Sequence, residues 1–539
     1  MFHGTVFSLL PAVIAIVLAL ITKEVYSSLF AGIFVGAFLS VGFHPVAAFN
    51  LIVVDGLSAA VSSLAGNTCF LIILGSLVVL VNMSGGSVAF GRWAGKKVKS
   101  RTGAGLVTFL LGVLIFIDDY FNCLTVGSVM RPVTDQYKIS RAKLAYLIDA
   151  TAAPICMIAP ISSWAAAVAF VASDMGTGIT GIQLFIRTIP YNFYSLLTLF
   201  FIPCLLLMDF DYGKMKESQR KAGMEDKNSR QEQEDVKVNP RSRIMDLILP
   251  MLLLIFFVTL AMLYAGGFYG QTPWIGPENT GNIIESLGNT DAFIALPLGS
   301  LAAYLLSCLY FAVRKTVSLR NISECLPKGF IAMIPSILIL TLATAMKTVT
   351  SSLGAAEFVH DLIAGSSSGM YAMLPAVIFL VSIFLAFATG TSWGTFSILI
   401  PVAAAAFPVD DPLLIIGISA CLAGAVCGDH CSPISDTTIM SSAGAQADHL
   451  EHVSTQLPYA FTVAAVSMIS YIVAGFTRSA VPGLAVGAVL ILITLTVLKK
   501  RSKAADDKRK KAIRRRSKKK TAGPDERKRF KYNENSGYC

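Results

Sequence analysis

Thirteen apolar segments dominate the chain, and most are close to the roughly 20 residues that cross a lipid bilayer as a helix. They lie near 5–22, 27–42, 68–83, 103–130, 144–172, 190–208, 244–265, 292–313, 329–347, 370–407, 413–428, 457–476 and 479–498. The chain is 54% hydrophobic and only 14% charged, which leaves too little polar surface to clothe a water-soluble protein of 539 residues. The pattern therefore predicts an all-α polytopic membrane protein with about 11 to 13 crossings. The first segment, Thr5–Thr22, lacks a basic flank and is followed by further spans, so it reads as a retained helix rather than a cleaved signal. The ten cysteines sit mostly inside apolar segments and form no paired framework.

Two segments, 103–130 and 370–407, are too long for one crossing, and each carries a polar break. The first break is "DDYFN" (Asp118–Asn122); the second is "ATGTSWGT" (Ala388–Thr395). Lys/Arg counts in the connecting stretches set the orientation. Stretches 84–102, 131–143, 209–243 and 314–328 carry five, four, nine and four basic residues; 43–67, 266–291, 348–369 and 408–412 carry none. Treating both long segments as hairpins that return to their starting side puts every basic stretch inside. The lysine-free stretch 430–455 then falls inside by parity. The two halves come out with opposite orientation.

Short sequence matches agree with that inversion. "SVMRPV" (Ser128–Val133) parallels "SILIPV" (Ser397–Val402), and "APISSW" (Ala159–Trp164) parallels "SPISDT" (Ser432–Thr437). Two inverted-topology repeats with interrupted helices are an architecture of secondary transporters. The expected organisation is a first repeat over 1–208, a charged cytoplasmic linker over 209–243 and a second repeat over 244–476. An extra transmembrane helix over 477–498 and a basic, disordered cytoplasmic tail over 499–539 complete it. The tail holds 18 Lys/Arg against 5 Asp/Glu, while the rest of the chain holds 26 against 28. Such a run fits anionic lipid better than nucleic acid, which is not expected as a partner.

Ionisable side chains at membrane depth are costly and mark function by default. Asp118 and Asp119 head the set, with Asn122 beyond them. Two carboxylates this close hold a shared proton more readily than one alone; a helix end at the interface is the plain structural reading. Asp149 lies in "LAYLIDATAAP" (Leu144–Pro154), with Ser162 after Pro160. In the second half, "CGDHCSPISDTT" (Cys427–Thr438) supplies Asp429 and Asp436, and the acid-free break supplies Thr391 and Ser392. Cys427, His430 and Cys431 share a helix face and suggest zinc, but no fourth ligand stands nearby. A site for a transported hard cation or proton is preferred, with no structural metal and no cofactor. Lys347 reads either as a buried countercharge or as a snorkelling end residue. His449 and His452 read as residues of a solvated loop.

The stretches "DDYFNCLTVGSVMRPVTD" (Asp118–Asp135), "TGTSWGTFSILIPV" (Thr389–Val402) and "GDHCSPISDTTIMSSAGA" (Gly428–Ala445) together resemble the NhaC-type sodium:proton antiporters of the ion transporter superfamily. The resemblance covers most of 5–498 and leaves out the tail. It implies a carrier, not an enzyme, of the bacterial plasma membrane that exchanges internal Na⁺ for external H⁺. Relatives exchange malate, lactate and other organic anions or export drugs, so an organic-anion or amino-acid exchanger is the alternative. A homodimer is an assembly open to such a chain.

Overall fold

The computed structural model describes residues 2–22, 24, 26–172, 180–224, 241–288, 290–354, 368–433 and 435–521. Every regular element among the described residues is a helix, as the hydropathy requires: in lipid the backbone must satisfy its own hydrogen bonds. In chain order the helices are α1 (Leu10–Thr22), α2 (Tyr26–Ser40), α3 (Pro45–Ser63), α4 (Ala65–Ser84), α5 (Gly86–Lys97), α6 (Arg101–Leu114), α7 (Asp119–Gln136) and α8 (Arg141–Cys156). Then come α9 (Ser163–Ala172), α10 (Gly181–Thr188), α11 (Phe193–Leu207), α12 (Gly213–Met224), α13 (Met245–Ala265), α14 (Ile283–Gly288), α15 (Ala292–Arg314) and α16 (Leu319–Ser352). The last are α17 (Ser368–Thr389), α18 (Ser392–Ala405), α19 (Pro412–Cys431), α20 (Asp436–Ala445), α21 (His449–Thr477) and α22 (Ala480–Thr521). Among the described residues, 8 helices are long and apolar enough to cross a membrane, or up to 10 when two bent pairs each count as one span.

Both long apolar segments are hairpins. The first is α6, a break at 115–118, and α7. Its two ends lie together: Tyr137, just past α7, donates to the Val98 carbonyl, just before α6, at 2.6 Å. The second is α17, a break at 390–391, and α18. Tyr371 near its start packs edge-on against Phe407 past its end, with ring centroids 5.6 Å apart. Each hairpin is followed by a helix broken near a proline: α8 and α9 around 157–162, then α19 and α20 around 432–435. The order hairpin, broken helix therefore occurs twice.

The hairpins open at opposite ends of the bundle. Near the first opening, Arg141 at the start of α8 reaches Gln446 at the end of α20. Nearby, Asp211 is buried in an ion pair with Lys143 at 2.7 Å and is also bound by Arg101 and by the Tyr459 hydroxyl. Lys216 of α12 bonds Ser502 of α22, so the linker and the root of the tail share this face. At the second opening Asp411 accepts from Tyr371 and meets Arg478, at the far end of α21.

The repeats touch where side chains are smallest. A Cβ on Gly127 of α7 would fall 2.4 Å from the backbone of Gly444 of α20. Close approach of this kind replaces the hydrophobic effect as the adhesive inside a membrane.

Two expectations need correction, and a third gains detail. Stretch 43–67, read as an external loop, is mostly the helix α3, with a π turn over Leu51–Ser58. Its Val46, Phe49, Val53, Val54 and Val61 are exposed, an apolar face that a count of basic residues does not register. The linker carries α12, whose Met215, Ser218, Gln219 and Ala222 are buried; residues 225–240 lie outside the described set. The basic tail, read as disordered from 499, continues α22 as helix to Thr521. Its alanines, lysines and arginines are strong helix formers, and no Gly or Pro intervenes before Gly523.

Two outcomes follow. Single cysteines at Gln271 and Lys221, in a background without exposed cysteine, should react with a membrane-impermeant thiol reagent from opposite sides of sealed cells and inverted vesicles. Gly127→Ala should destabilise the protein by about 1–3 kcal/mol, since backbone cannot move aside as a side chain can; a lowered unfolding temperature in detergent is the readout.

Candidate functional site

The polar breaks are where helices start. Each half-helix begins with orphaned N–H groups that lipid cannot satisfy. Asp118 caps α7, its Oδ1 accepting from the Phe121 N–H at 2.9 Å. Ser162 caps α9, accepting from the Ala165 N–H at 3.0 Å. Thr391 caps α18 through the Gly394 N–H, and Ser435 caps α20 through the Thr438 N–H. Asn122 serves the opposite polarity: its Nδ2 donates to the Gly112 and Ile115 carbonyls at the frayed end of α6, at 2.7 and 2.8 Å. Of the residues expected to hold an ion, Asp118, Ser162, Thr391 and Asn122 thus also hold the breaks open.

The four breaks converge. The Ser163 N–H donates to the Ile117 carbonyl at 2.9 Å, tying the break before α9 to the break before α7. In the other repeat the Ser392 hydroxyl donates to Asp429 Oδ2 at 2.8 Å, and the Ser432 hydroxyl to the Phe387 carbonyl at 2.6 Å. The two pairs meet through aromatics: Trp164 at the start of α9 packs on Trp393 and Phe396 of α18, centroids 5.9 and 5.8 Å away. The result is a buried centre to which both repeats contribute helix N-termini and carboxylates. Asp118, Asp119, Asn122, Ser162, Ser392 and Asp429 are all buried there. Buried carboxylates beside positive helix ends can hold a proton or a small cation.

Asp149 sits in a second cluster. Its Oδ2 accepts from the Thr438 hydroxyl and from Gln456 Nε2, both at 3.0 Å. The Nε2 atoms of His430 and His452 each lie 3.9 Å from the same oxygen. Gln456 also donates to the His430 carbonyl, and the Tyr194 hydroxyl bonds His430 Nδ1 at 2.9 Å. Cys156, seven residues beyond Asp149 on α8, is within electrostatic reach of Asp118 and Asp119. Asp149 lies about 10 Å before Cys156 along α8.

Several of these residues escaped the sequence reading. His452 was expected in a solvated loop and is instead completely buried. Gln456 and Thr438 went unremarked. The available signal was the spacing 452, 456, 459 in α21, which lines His, Gln and Tyr along one face of an otherwise apolar helix. Asp436 opens α20 and Lys347 lies on α16, but both side chains fall outside the described set.

Residues 155–476, more than half of the chain, match the Na⁺/H⁺ antiporter family. The chain belongs to that family. It is a multi-pass secondary transporter for Na⁺ and H⁺. A Haemophilus influenzae protein with no assigned function is 36% identical over 511 residues, spanning 93% of this chain and 96% of that one. The Bacillus subtilis malate-2H⁺/Na⁺-lactate antiporter is 34% identical over 121 residues, 22% of this chain and 24% of that one. Among solved structures, the Alcanivorax borkumensis YdaH transporter aligns with a TM-score of 0.51 at 16% identity, over 79% of this chain and 90% of that one. That likeness establishes the fold of the bundle and nothing about cargo.

The Ser392–Asp429 bond gives a direct test. Hydrogen bonds to a charged group contribute about 1.5–3 kcal/mol. Ser392→Ala should therefore weaken apparent Na⁺ affinity roughly tenfold or more if Asp429 acts ionised, measured as the Na⁺ concentration for half-maximal exchange in reconstituted vesicles.

Proposed function

We propose that the chain exchanges Na⁺ for H⁺ across the bacterial plasma membrane by competition at buried carboxylates. Asp118, Asp119 and Asp429 bind the cargo where the four breaks meet, with Asn122, Ser162, Thr391 and Ser392 fixing the geometry and Asp149 joined to the proton side. Asp436 and Lys347 complete the candidate set. The observation that carries this reading is the pairing of buried carboxylates with four half-helix N-termini drawn from two opposed repeats. A carboxylate there takes either a proton or a cation. Rocking of one repeat against the other then exposes the loaded site to each side in turn, with no chemical change to the cargo.

A second reading rests on the same geometry. Four converging helix N-termini also suit an organic carboxylate, and the Bacillus subtilis relative carries such cargo by its name. Lys347 would serve as its countercharge. We further propose that the basic tail lies on anionic lipid at the cytoplasmic face and that the chain assembles as a homodimer.

Competition fixes the sign of the pH dependence. Na⁺ binds the deprotonated site, so raising pH removes the competitor and lowers the Na⁺ concentration needed for half-maximal exchange. Where the site is mostly protonated, the change should be about tenfold per pH unit. Dissipation of an imposed pH gradient on adding Na⁺ to proteoliposomes measures it. Asp118→Asn and Asp429→Asn, if inserted normally, should lose exchange, and the Glu variants should keep part of it. A wild-type protein that collapses the gradient only with malate or lactate present would favour the second reading.

A further inference from the structure

The second cluster extends to the surface, and its hydrogen-bond polarity defines a direction. His449 Nε2 lies 2.6 Å from the Pro433 carbonyl, which can only accept, so this nitrogen carries a proton. Its Nδ1 faces the Ser442 hydroxyl at 3.1 Å, and the same oxygen lies 2.8 Å from His452 Nδ1 and 2.8 Å from the Thr438 carbonyl. Ser442 has one hydrogen. When His449 or Thr438 receives it, His452 Nδ1 donates to Ser442. A neutral His452 then presents a bare Nε2 to Asp149, 3.9 Å away. Among the described residues this Nε2 has no hydrogen-bond partner, although His452 is wholly buried. An unpartnered buried nitrogen aimed at a carboxylate is expensive to maintain and calls for a transient occupant.

We propose that His452, Ser442 and His449 form a proton relay between Asp149 and the face of the bundle that carries the linker and the tail root. This rests on the antiport reading above and adds a route for the proton to it. The protonated Asp149 carboxyl gives its proton to His452 Nε2, directly after a small closure or across one water. The resulting imidazolium passes its Nδ1 proton to Ser442, whose own hydrogen moves to His449 Nδ1. His449, half-buried beside the exposed Asp448, releases one proton to solvent. One proton leaves Asp149 and one leaves the protein, with no bond other than N–H and O–H changed.

Among the described residues, other titratable groups line this route, including Cys123 of α7, whose thiol accepts from the Ser441 hydroxyl at 3.1 Å. His430 from α19 points its Nε2 at the same carboxylate oxygen and is held by Tyr194 of α11. Tyr146, on α8 itself, stacks on His430 with centroids 6.1 Å apart and packs on Tyr459 of α21. Asp118 and Asp119 of α7 lie within electrostatic reach of Cys156, at the other end of α8 from Arg141. Arg141, eight residues before Asp149, bonds Gln446 in the turn that precedes His449. The relay therefore spans about 12 Å of depth, from that face to Asp149.

The test uses the full-length protein in vesicles. His452→Gln keeps a hydrogen bond to Ser442 but cannot carry a proton through; Ser442→Ala severs the chain between the histidines. Each should slow Na⁺/H⁺ exchange about tenfold or more, while ²²Na⁺/Na⁺ exchange, which needs no net proton release, falls far less. Equal loss in both modes would make the residues merely structural, and no loss in either would remove the relay; both overturn it. Infrared spectroscopy after a pH jump gives a readout independent of Na⁺. The protonated-carboxyl band that Asp149→Asn abolishes should decay about tenfold more slowly in His452→Gln than in wild type, and an unchanged decay overturns the proposal. A wild-type protein that moves no protons in exchange for Na⁺ sinks the antiport reading, and the infrared decay still decides the relay.

Discussion

The fold depends on satisfying backbone groups where helices stop inside lipid. Each break leaves N–H groups exposed at the start of a half-helix, and hydrocarbon offers nothing to bond them. The protein meets this with one capping side chain per break, from Asp118, Ser162, Thr391 and Ser435. It then packs the breaks against one another, so that bonds such as Ser163 N–H to Ile117 O and Ser432 Oγ to Phe387 O cross between them. Polar groups that would be a liability alone become a shared, buried centre. Under the competition proposed above, this centre is where a proton and a cation would exchange.

Inversion of the repeats follows from where each hairpin opens. Tyr137 closes the first at the face of Arg141 and Lys143, and Tyr371 closes the second at the face of Asp411 and Arg478. The buried ion pair of Asp211 with Lys143 ties the linker into the first of these faces. Removing one partner of such a pair costs about 3–5 kcal/mol, because a charge is left buried and alone. The linker is therefore not a passive tether where it leaves α11. At the interface between repeats, Gly127 and Gly444 allow backbones to touch, and no bulky knob has to be withdrawn if the repeats shift.

Two polar clusters lie along α8. Near its C-terminal end, Cys156 approaches Asp118 and Asp119; about 10 Å earlier, Asp149 faces α20 and α21. In the proposed scheme, the carboxylate of this single helix joins the central breaks to a histidine-lined route. Thr438 and Gln456 hold the Asp149 carboxylate by donating to its Oδ2, with the Nε2 atoms of His430 and His452 facing the same oxygen from two different helices.

The sequence by itself determined the membrane class, the hairpins, the broken helices and the doubled order of the two, because hydropathy and helix interruption are local properties of the chain. It also located Asp118, Asp119, Asp149 and Asp429 as buried acids, since a charge inside an apolar run can be seen without knowing its neighbours. It misjudged α3 because a count of lysines and arginines cannot see an apolar helix that lacks them. The tertiary structure alone decided which polar groups meet. Asp149 pairs with Thr438 and Gln456, 289 and 307 residues away, and no local pattern encodes such a contact. His452 looked like a loop residue because its neighbours Asp448 and Glu451 are polar; it is buried because α20 and α8 fold over that first turn of α21.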